Sequence, residues 1–510
     1  GKTAGVVTVT NAIVISGTDS EVTAALVTEG SKVVAGTAKV TISGNPSISD
    51  LNAIAGETAG VVTTTLAAAS LSSLGSLNTA ATDVITVTVN DAANAAVDAT
   101  DLSALGGKTA GVVTVTNAVV ISGTTAQLTG ALVTDGSLVV AGTAKITFSD
   151  SPSLSEYNAI DGKTSGALTY TSISDTLSNL VTDAGDASSA IGYNKTLTVT
   201  DTGTVQATDL STLSANTNQN ITASSATTIT GSAANFVTLI GDSGVTLGAS
   251  YNATVSGTAS TAQLATIDGD TSGTVSVADI TDTISSIQTF QGGSASQATI
   301  LENATGTITA NGSGVDSADL SAVQHGITIN LGAEADTVVG TDFADTITGG
   351  TNIDIVYGGS GVDTFVFNTG DAPTALVATL KYDKIGDFDA TKDKIDLQVA
   401  PVLGSAESTS TTLGGQSGTV AIDASGKVQL SGSGAGDATL AEALAAVRAV
   451  VQGSGEIGLF EFDDGLNTVG TYVYQENGSS SSDLLVFLDG VTSIADTSTS
   501  LGDANTLYIY

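Results

Sequence analysis

Four aspartates, Asp336, Asp345, Asp354 and Asp363, recur at every ninth position. Each is the sixth residue of one of four ungapped units: LGAEADTVV, GTDFADTIT, GGTNIDIVY and GGSGVDTFV. The last unit carries the whole pattern Gly-Gly-x-Gly-x-Asp-x-apolar-x, whereas the others keep the Asp and the apolar position but only some of the glycines. These residue types suit a hard divalent cation. Calcium takes six to eight oxygen ligands at about 2.3–2.6 Å. A glycine-rich turn can direct carbonyls inward because glycine tolerates positive φ, and the Asp adds a carboxylate. The candidate ligands are therefore Asp336, Asp345, Asp354, Asp363 and Asp342, with Gly349, Gly358, Gly359 and Gly361 in the turns. Two neighbouring turns would complete one cage. Without the ion, stacked carboxylates repel one another. Ca2+ is accordingly expected to be needed for folding as well as bound by the fold.

The elements that must hold this ladder are narrowed by composition. The chain has 510 residues, with 51 Asp+Glu against 13 Lys+Arg and a net charge of −38. So acidic a chain argues against nucleic-acid or anionic-membrane partners, which need basic patches. The lack of Cys removes disulfides, thiolate nucleophiles and Cys-ligated metals. The single histidine, His325, removes any site that needs two. No run of about 18 apolar residues is present, so no membrane insertion is expected. Recurrent Val, Ile and Leu predict a folded chain. Between Lys195 and Lys381 many acidic residues stand with no basic one among them, an imbalance that divalent cations would offset. With no Met and no signal-peptide pattern at its start, the chain is expected to be the C-terminal part of a longer, processed protein.

The region before the ladder is repetitive. Residues 1–60 align without a gap to 107–166, GKTAGVVTVTNAIVISGT returning as GKTAGVVTVTNAVVISGT. Within this long repeat runs a finer unit of about 26 residues. Each unit has an alternating strand (Val7, Val9; Ile13, Ile15) followed by a short helix. Thr18-x-x-Glu21 and Thr124-x-x-Gln127 are capping boxes, with Ser47-x-x-Asp50, Ser153-x-x-Glu156 and Ser260-x-x-Gln263 similar. The turn apolar-x-Gly-x-Thr-small-Gly closes units at 54–60, 105–111, 160–166 and 267–273. Gly107-Lys108-Thr109 looks like the end of a phosphate-binding loop, but Leu102 stands where that loop needs its first glycine. Such short helices are unstable alone, and stacking of units is what buries their apolar faces. The expected fold is mainly β. A β-solenoid with short helices per coil would span 1–330, a calcium-binding parallel β-roll 331–370, and a small β-rich C-terminal domain with one helix 371–510.

After the nonapeptides comes Asp383-Lys384-Ile385-Gly386-Asp387-Phe388, then Asp393-Lys394-Ile395-Asp396-Leu397. Together with the nonapeptides, this segment resembles the RTX (hemolysin-type calcium-binding repeat) proteins, which are exported by type I secretion. The resemblance implies that Asp383, and secondarily Asp387, ligates the last calcium. Further on, Thr439-x-x-Glu442 and the face Leu440, Leu444, Val447, Val451 predict a helix over 437–453. Strands are predicted at 459–462, 471–475 and 484–488. No Lys or Arg follows Arg448, and the chain ends in Leu507-Tyr508-Ile509-Tyr510, similar to an uncleaved type I secretion signal.

These readings predict a non-enzymatic extracellular structural protein at a bacterial cell surface. It would self-associate into a surface layer (S-layer), with cell-surface polysaccharide as a further partner. The alternative is the calcium-stiffened stalk of a large RTX adhesin. A β-helix enzyme acting on polysaccharide ranks below both, because His325 has no basic residue near it in sequence.

Overall fold

A computed structural model describes residues 6–509, except 29–32, 135–137, 187–188, 192–194, 218–219, 313, 369–370, 372–381, 398, 464–468, 479–482, 495–496 and 499–504. Gly1 and Tyr510, which entered the readings of the two ends, lie outside the described residues. The described chain is β-rich, with many parallel strands and thirteen short α-helices. It packs as two compact units: Gly1–Ala226 with Asp242–Gly248, and Thr227–Gly241 with Ala249–Tyr510. The domain boundaries expected at 330 and 370 both fall inside the second unit.

In the first unit most described strands pair in parallel with a strand one repeat further on. Val14–Thr18 lies beside Lys39–Ser43, Lys39–Ser43 beside Val62–Thr65, and Val84–Val89 beside Val113–Val115. Register partners such as Val14 and Lys39, Val40 and Val62, or Val87 and Val113 stand one short repeat apart, matching the period of the sequence. Short helices such as Thr125–Leu132 and Leu154–Asp161 follow the strands, and Thr124 and Ser153 close full capping boxes. Ser47 caps with its side chain alone. Leu128 and Ala131 of one helix, with Ile121 and Ile146 of the strands, are wholly buried. Each large apolar side chain so buried contributes roughly 1.5–3 kcal/mol, which stabilises helices too short to stand alone.

The repeated turn has a physical explanation. Thr164 Oγ1 donates to the Ala144 carbonyl of the preceding coil at 2.6 Å and accepts from Gly166 N at 3.0 Å. A Cβ on Gly166 would collide with that same carbonyl. Thr109 bonds the Asp83 and Ile85 carbonyls in the same way, so Gly107-Lys108-Thr109 is a turn tied to the preceding repeat.

A second device was not expected from the sequence. The first N–H of several helices is capped by an aspartate of the next coil. Leu71 N donates to Asp91 Oδ2 at 2.7 Å, Leu154 N to Asp175 Oδ2 at 2.9 Å, and Leu177 N to Asp201 Oδ2 at 2.6 Å. Asp150 Oδ1 accepts from both Thr125 N and Thr125 Oγ1, at 2.8 and 2.7 Å. In the second unit Asp282 does the same for Thr261. These carboxylates also face the positive end of the helix dipole. Part of the acidic excess therefore serves to join coil to coil.

The second unit begins with the same pattern: Thr228–Ser232, Asn252–Ala259, Val275–Thr283, Ile308–Asn311 and Ile327–Asn330 pair successively in parallel. At the nonapeptides the register tightens, so that paired strands stand two nonapeptides apart in sequence. Thr328 pairs with Thr346 and Thr346 with Thr364 in one sheet, and Thr337 pairs with Ile355 in the other. Consecutive strands thus alternate between two sheets, and each nonapeptide supplies one turn and one strand. Val338, Ile347, Val356 and Phe365 point into the core between them. Asp383–Ile385 and Lys394–Leu397 add the next strands to the two sheets, and Phe388 packs on Phe365 with ring centroids 6.0 Å apart.

Beyond this lie an antiparallel meander, Glu456–Phe462, Gly470–Gln475 and Leu484–Asp489, and a three-stranded sheet, Glu407–Leu413, Gln416–Ile422 and Val428–Gly432. The helix expected over 437–453 is shorter, Leu440–Val447, with a 3-10 turn at Ala435–Asp437. Past Arg448 two bonds tighten to i→i+3, Ala449 N to Ala446 O and Val450 N to Val447 O, although Val451 N still reaches Val447 O at 3.0 Å, and the α-helix ends at Val447, short of 453. Val451 remains buried, as its place on the apolar face requires. The hydrophobic tip lies in the strand Thr506–Ile509, antiparallel to Lys394–Leu397, with Leu507 and Ile509 buried.

Candidate metal centre

The ladder aspartates begin strands or immediately precede them, at the ends of the turns between the two sheets. Turns 331–336 and 349–354 lead into one sheet, and turns 340–345 and 358–363 into the other. Along the first edge, Asp336 Oδ1 accepts Asp316 N at 2.7 Å, Asp354 Oδ1 accepts Asp336 N at 2.9 Å, and Asp383 Oδ1 accepts Asp354 N at 2.9 Å. Along the second, Asp345 Oδ1 accepts Ile327 N at 2.8 Å, Asp363 Oδ1 accepts Asp345 N at 2.9 Å, and Asp393 Oδ1 accepts Asp363 N at 2.9 Å. One carboxylate oxygen per turn therefore stitches neighbouring coils together.

The other oxygen decides what the site can do. Asp336, Asp354, Asp363 and Asp383 are at most 2% exposed, and in each Oδ2 is buried with no hydrogen-bond partner. A buried carboxylate oxygen without a partner costs several kcal/mol unless a proton or a cation supplies one. Burial raises the pKa of Asp354 and Asp363 from the ordinary carboxylate value to about 7, and that of Asp383 to about 8, with neighbouring Asp charges adding to the rise. Asp336 and Asp345 are also raised, again first by burial.

The turns fit a cation in another respect. Gly332, Gly350 and Gly359, at the second position of their units, have φ of +108°, +87° and +92°. At the fourth position Asn352 and Gly361 have φ of +84° and +141°. Gly349 and Gly358, at the first position, face the free Oδ2 of Asp354 and Asp363, where a Cβ would crowd it. Among the described residues no three His, Asp or Glu side chains gather into a metal-holding group. The aspartates come one per turn, so any cage would be completed by backbone carbonyls, as calcium accepts.

The residues expected from sequence to be ligands do not all behave alike. Asp336, Asp354, Asp363 and Asp383 present free oxygens. Asp345 is buried in the ladder, but both of its oxygens are bonded: Oδ2 accepts Thr341 N at 2.6 Å and Oδ1 accepts Thr341 Oγ1 at 2.9 Å. Asp342 is exposed, away from the buried row. Asp387 is exposed and accepts Gly358 N and Gly359 N, at 2.8 and 2.9 Å. Asp393 continues the second row but was not singled out from sequence. Its Oδ2 accepts Asp389 N at 2.8 Å. Its equivalence to Asp363 was hidden because Thr364 pairs with Lys394 across a longer stretch of chain than the usual two nonapeptides. His325 Nδ1 lies 2.6 Å from the Gly326 carbonyl.

No protein-family model matches the chain, and comparison with curated proteins finds no significant match. No described helix is long and apolar enough to cross a membrane.

Proposed function

We propose that this chain is an extracellular structural protein whose nonapeptide segment folds around Ca2+ and whose copies assemble into a bacterial surface layer. The observation that carries the calcium part is the set of four buried, unpartnered Oδ2 atoms on Asp336, Asp354, Asp363 and Asp383. In this reading those aspartates and the carbonyls of the left-handed turns hold the ions. The bound cation supplies charge neutralisation, and the carboxylates keep their second task of bonding the next coil. The register of two nonapeptides per coil supports reading 331–370 as a parallel β-roll. The one-repeat registers and coil-to-coil caps support a β-solenoid before it. In this reading self-association depends on bridging cations, because faces of a chain at −38 repel one another unless cations lie between them. Cell-surface polysaccharide is the further partner, and no catalytic activity is part of the proposal.

Electron microscopy of the purified chain with calcium and with chelator tests this. Ordered sheets in calcium that disperse in chelator are expected. Extended single particles in calcium would favour the stalk of an adhesin instead. Assemblies indifferent to chelator would contradict the role given to calcium.

A further inference from the structure

The second unit of the ladder, GTDFADTIT, differs from its neighbours at its second position, where Thr341 stands without positive φ; its fourth residue, Phe343, also lacks positive φ, as does Glu334 of the first unit. A β-branched side chain is a poor occupant of the left-handed region that Gly332, Gly350 and Gly359 adopt at the equivalent place. The turn 340–345 consequently directs protein donors at its own carboxylate. Thr341 is fully buried. Its N–H and hydroxyl take the Asp345 oxygens at 2.6 and 2.9 Å, and its hydroxyl also accepts Phe343 N at 3.0 Å. Asp345 is thereby satisfied within the protein, whereas Asp336, Asp354, Asp363 and Asp383 are not.

We infer that Thr341 stands in for a cation at the 340–345 turn, so that the segment loads ions unevenly. The row Asp336, Asp354 and Asp383 takes them throughout, whereas in the row Asp345, Asp363 and Asp393 the Asp345 station is closed by Thr341, whose backbone N–H takes Oδ2 while its hydroxyl takes Oδ1, and Oδ2 of Asp393 is taken by Asp389 N. The closed station also has a structural consequence. It satisfies the Asp345 carboxylate within its own turn and without metal, while Oδ1 bonds Ile327 N, next to turns that need metal, and so gives the segment a metal-independent point from which to fold. The inference rests on the calcium reading above, and the test separates the two.

Calcium stoichiometry of the intact chain is measured by isothermal titration and by elemental analysis after dialysis, with fold checked by circular dichroism. Thr341→Gly removes the hydroxyl and restores the left-handed option, and is expected to bind about one ion more than the unchanged chain. Thr341→Ser keeps the donors and is expected to bind the same number. Asp345→Asn is expected to lose no ion, whereas Asp354→Asn loses one. If Thr341→Gly gains nothing while the unchanged chain binds calcium, or if Asp345→Asn loses an ion as Asp354→Asn does, the inference is overturned and the calcium reading stands. If the unchanged chain binds no calcium, both fall. Should Thr341→Gly fail to fold, the comparison of Asp345→Asn with Asp354→Asn decides alone.

Discussion

Replacing Asp354 with Asn separates the two tasks of its carboxylate. Asp354 Oδ1 accepts Asp336 N at 2.9 Å, a bond that an amide oxygen can keep, while Oδ2 is buried without a partner. In chelator at pH 8 the native carboxylate must be held either charged in a dry site or protonated against the solution. Raising it from the ordinary value to about 7 corresponds to a penalty of about 4 kcal/mol at that pH. Asn carries no charge and escapes the penalty, but leaves an amide N–H group unpaired at a cost of about 1–3 kcal/mol. The metal-free variant is therefore expected to be more stable than the metal-free parent by about 1–3 kcal/mol. In calcium the sign reverses, because a charged ligand is lost. A decrease of about tenfold or more in affinity at that station, about 1.4 kcal/mol per tenfold, is expected. The assay is thermal unfolding of both chains followed by circular dichroism in chelator and in calcium. An Asn variant destabilised equally in both conditions would refute the reasoning, since Asp354 would then be only a hydrogen-bond acceptor.

Further expectations follow from the same contacts. The raised pKa values of Asp354, Asp363 and Asp383 mean that the folded segment binds more protons than the unfolded chain. Stability in chelator is therefore full below the ordinary carboxylate range and is lost as pH rises through about 7 to 8. Calcium should abolish that loss, because it binds the deprotonated form, and melts at about pH 5.5 and 8.5 with and without chelator check this. Asp150→Ala removes the cap on Thr125 N and Oγ1 and should cost about 1–3 kcal/mol, with faster amide exchange over Thr125–Leu132. Gly166→Ala drives a Cβ into the Ala144 carbonyl and should cost about 1–3 kcal/mol in denaturant unfolding. Arg448 pairs with the fully buried Asp483 at 2.8 Å, a carboxylate that also accepts Tyr474 OH at 2.8 Å. Arg448→Met should cost about 3–5 kcal/mol, read by the same unfolding measurement.

What the sequence reveals and what it hides divide along physical lines. Alternating strands, capping boxes and the Gly-x-Thr-small-Gly turn are local patterns. Thr18, Thr124, Ser153 and Ser260 cap where their spacing says they should. The nonapeptide spacing places Asp336, Asp345, Asp354 and Asp363 in stacked turns because position six of each unit always precedes a strand. Contacts between coils are harder to read. Asp91, Asp150, Asp175, Asp201 and Asp282 look like scattered surface acids, yet each reaches back a full coil to the start of a helix. Spacing alone also could not separate Asp345 from its neighbours, because the difference lies in the donors that Thr341 supplies. The overlong helix at 437–453 has a similar cause: Val451 keeps the periodic face, but the backbone has already tightened past Arg448.

The measurement closest to the central claim is the thermal midpoint of the unchanged chain as a function of free calcium. If the buried aspartates hold ions in the folded state alone, the midpoint rises steadily with the logarithm of calcium concentration, as ligand linkage requires, and chelator lowers it. A midpoint that is the same in chelator and at every calcium concentration would contradict the account.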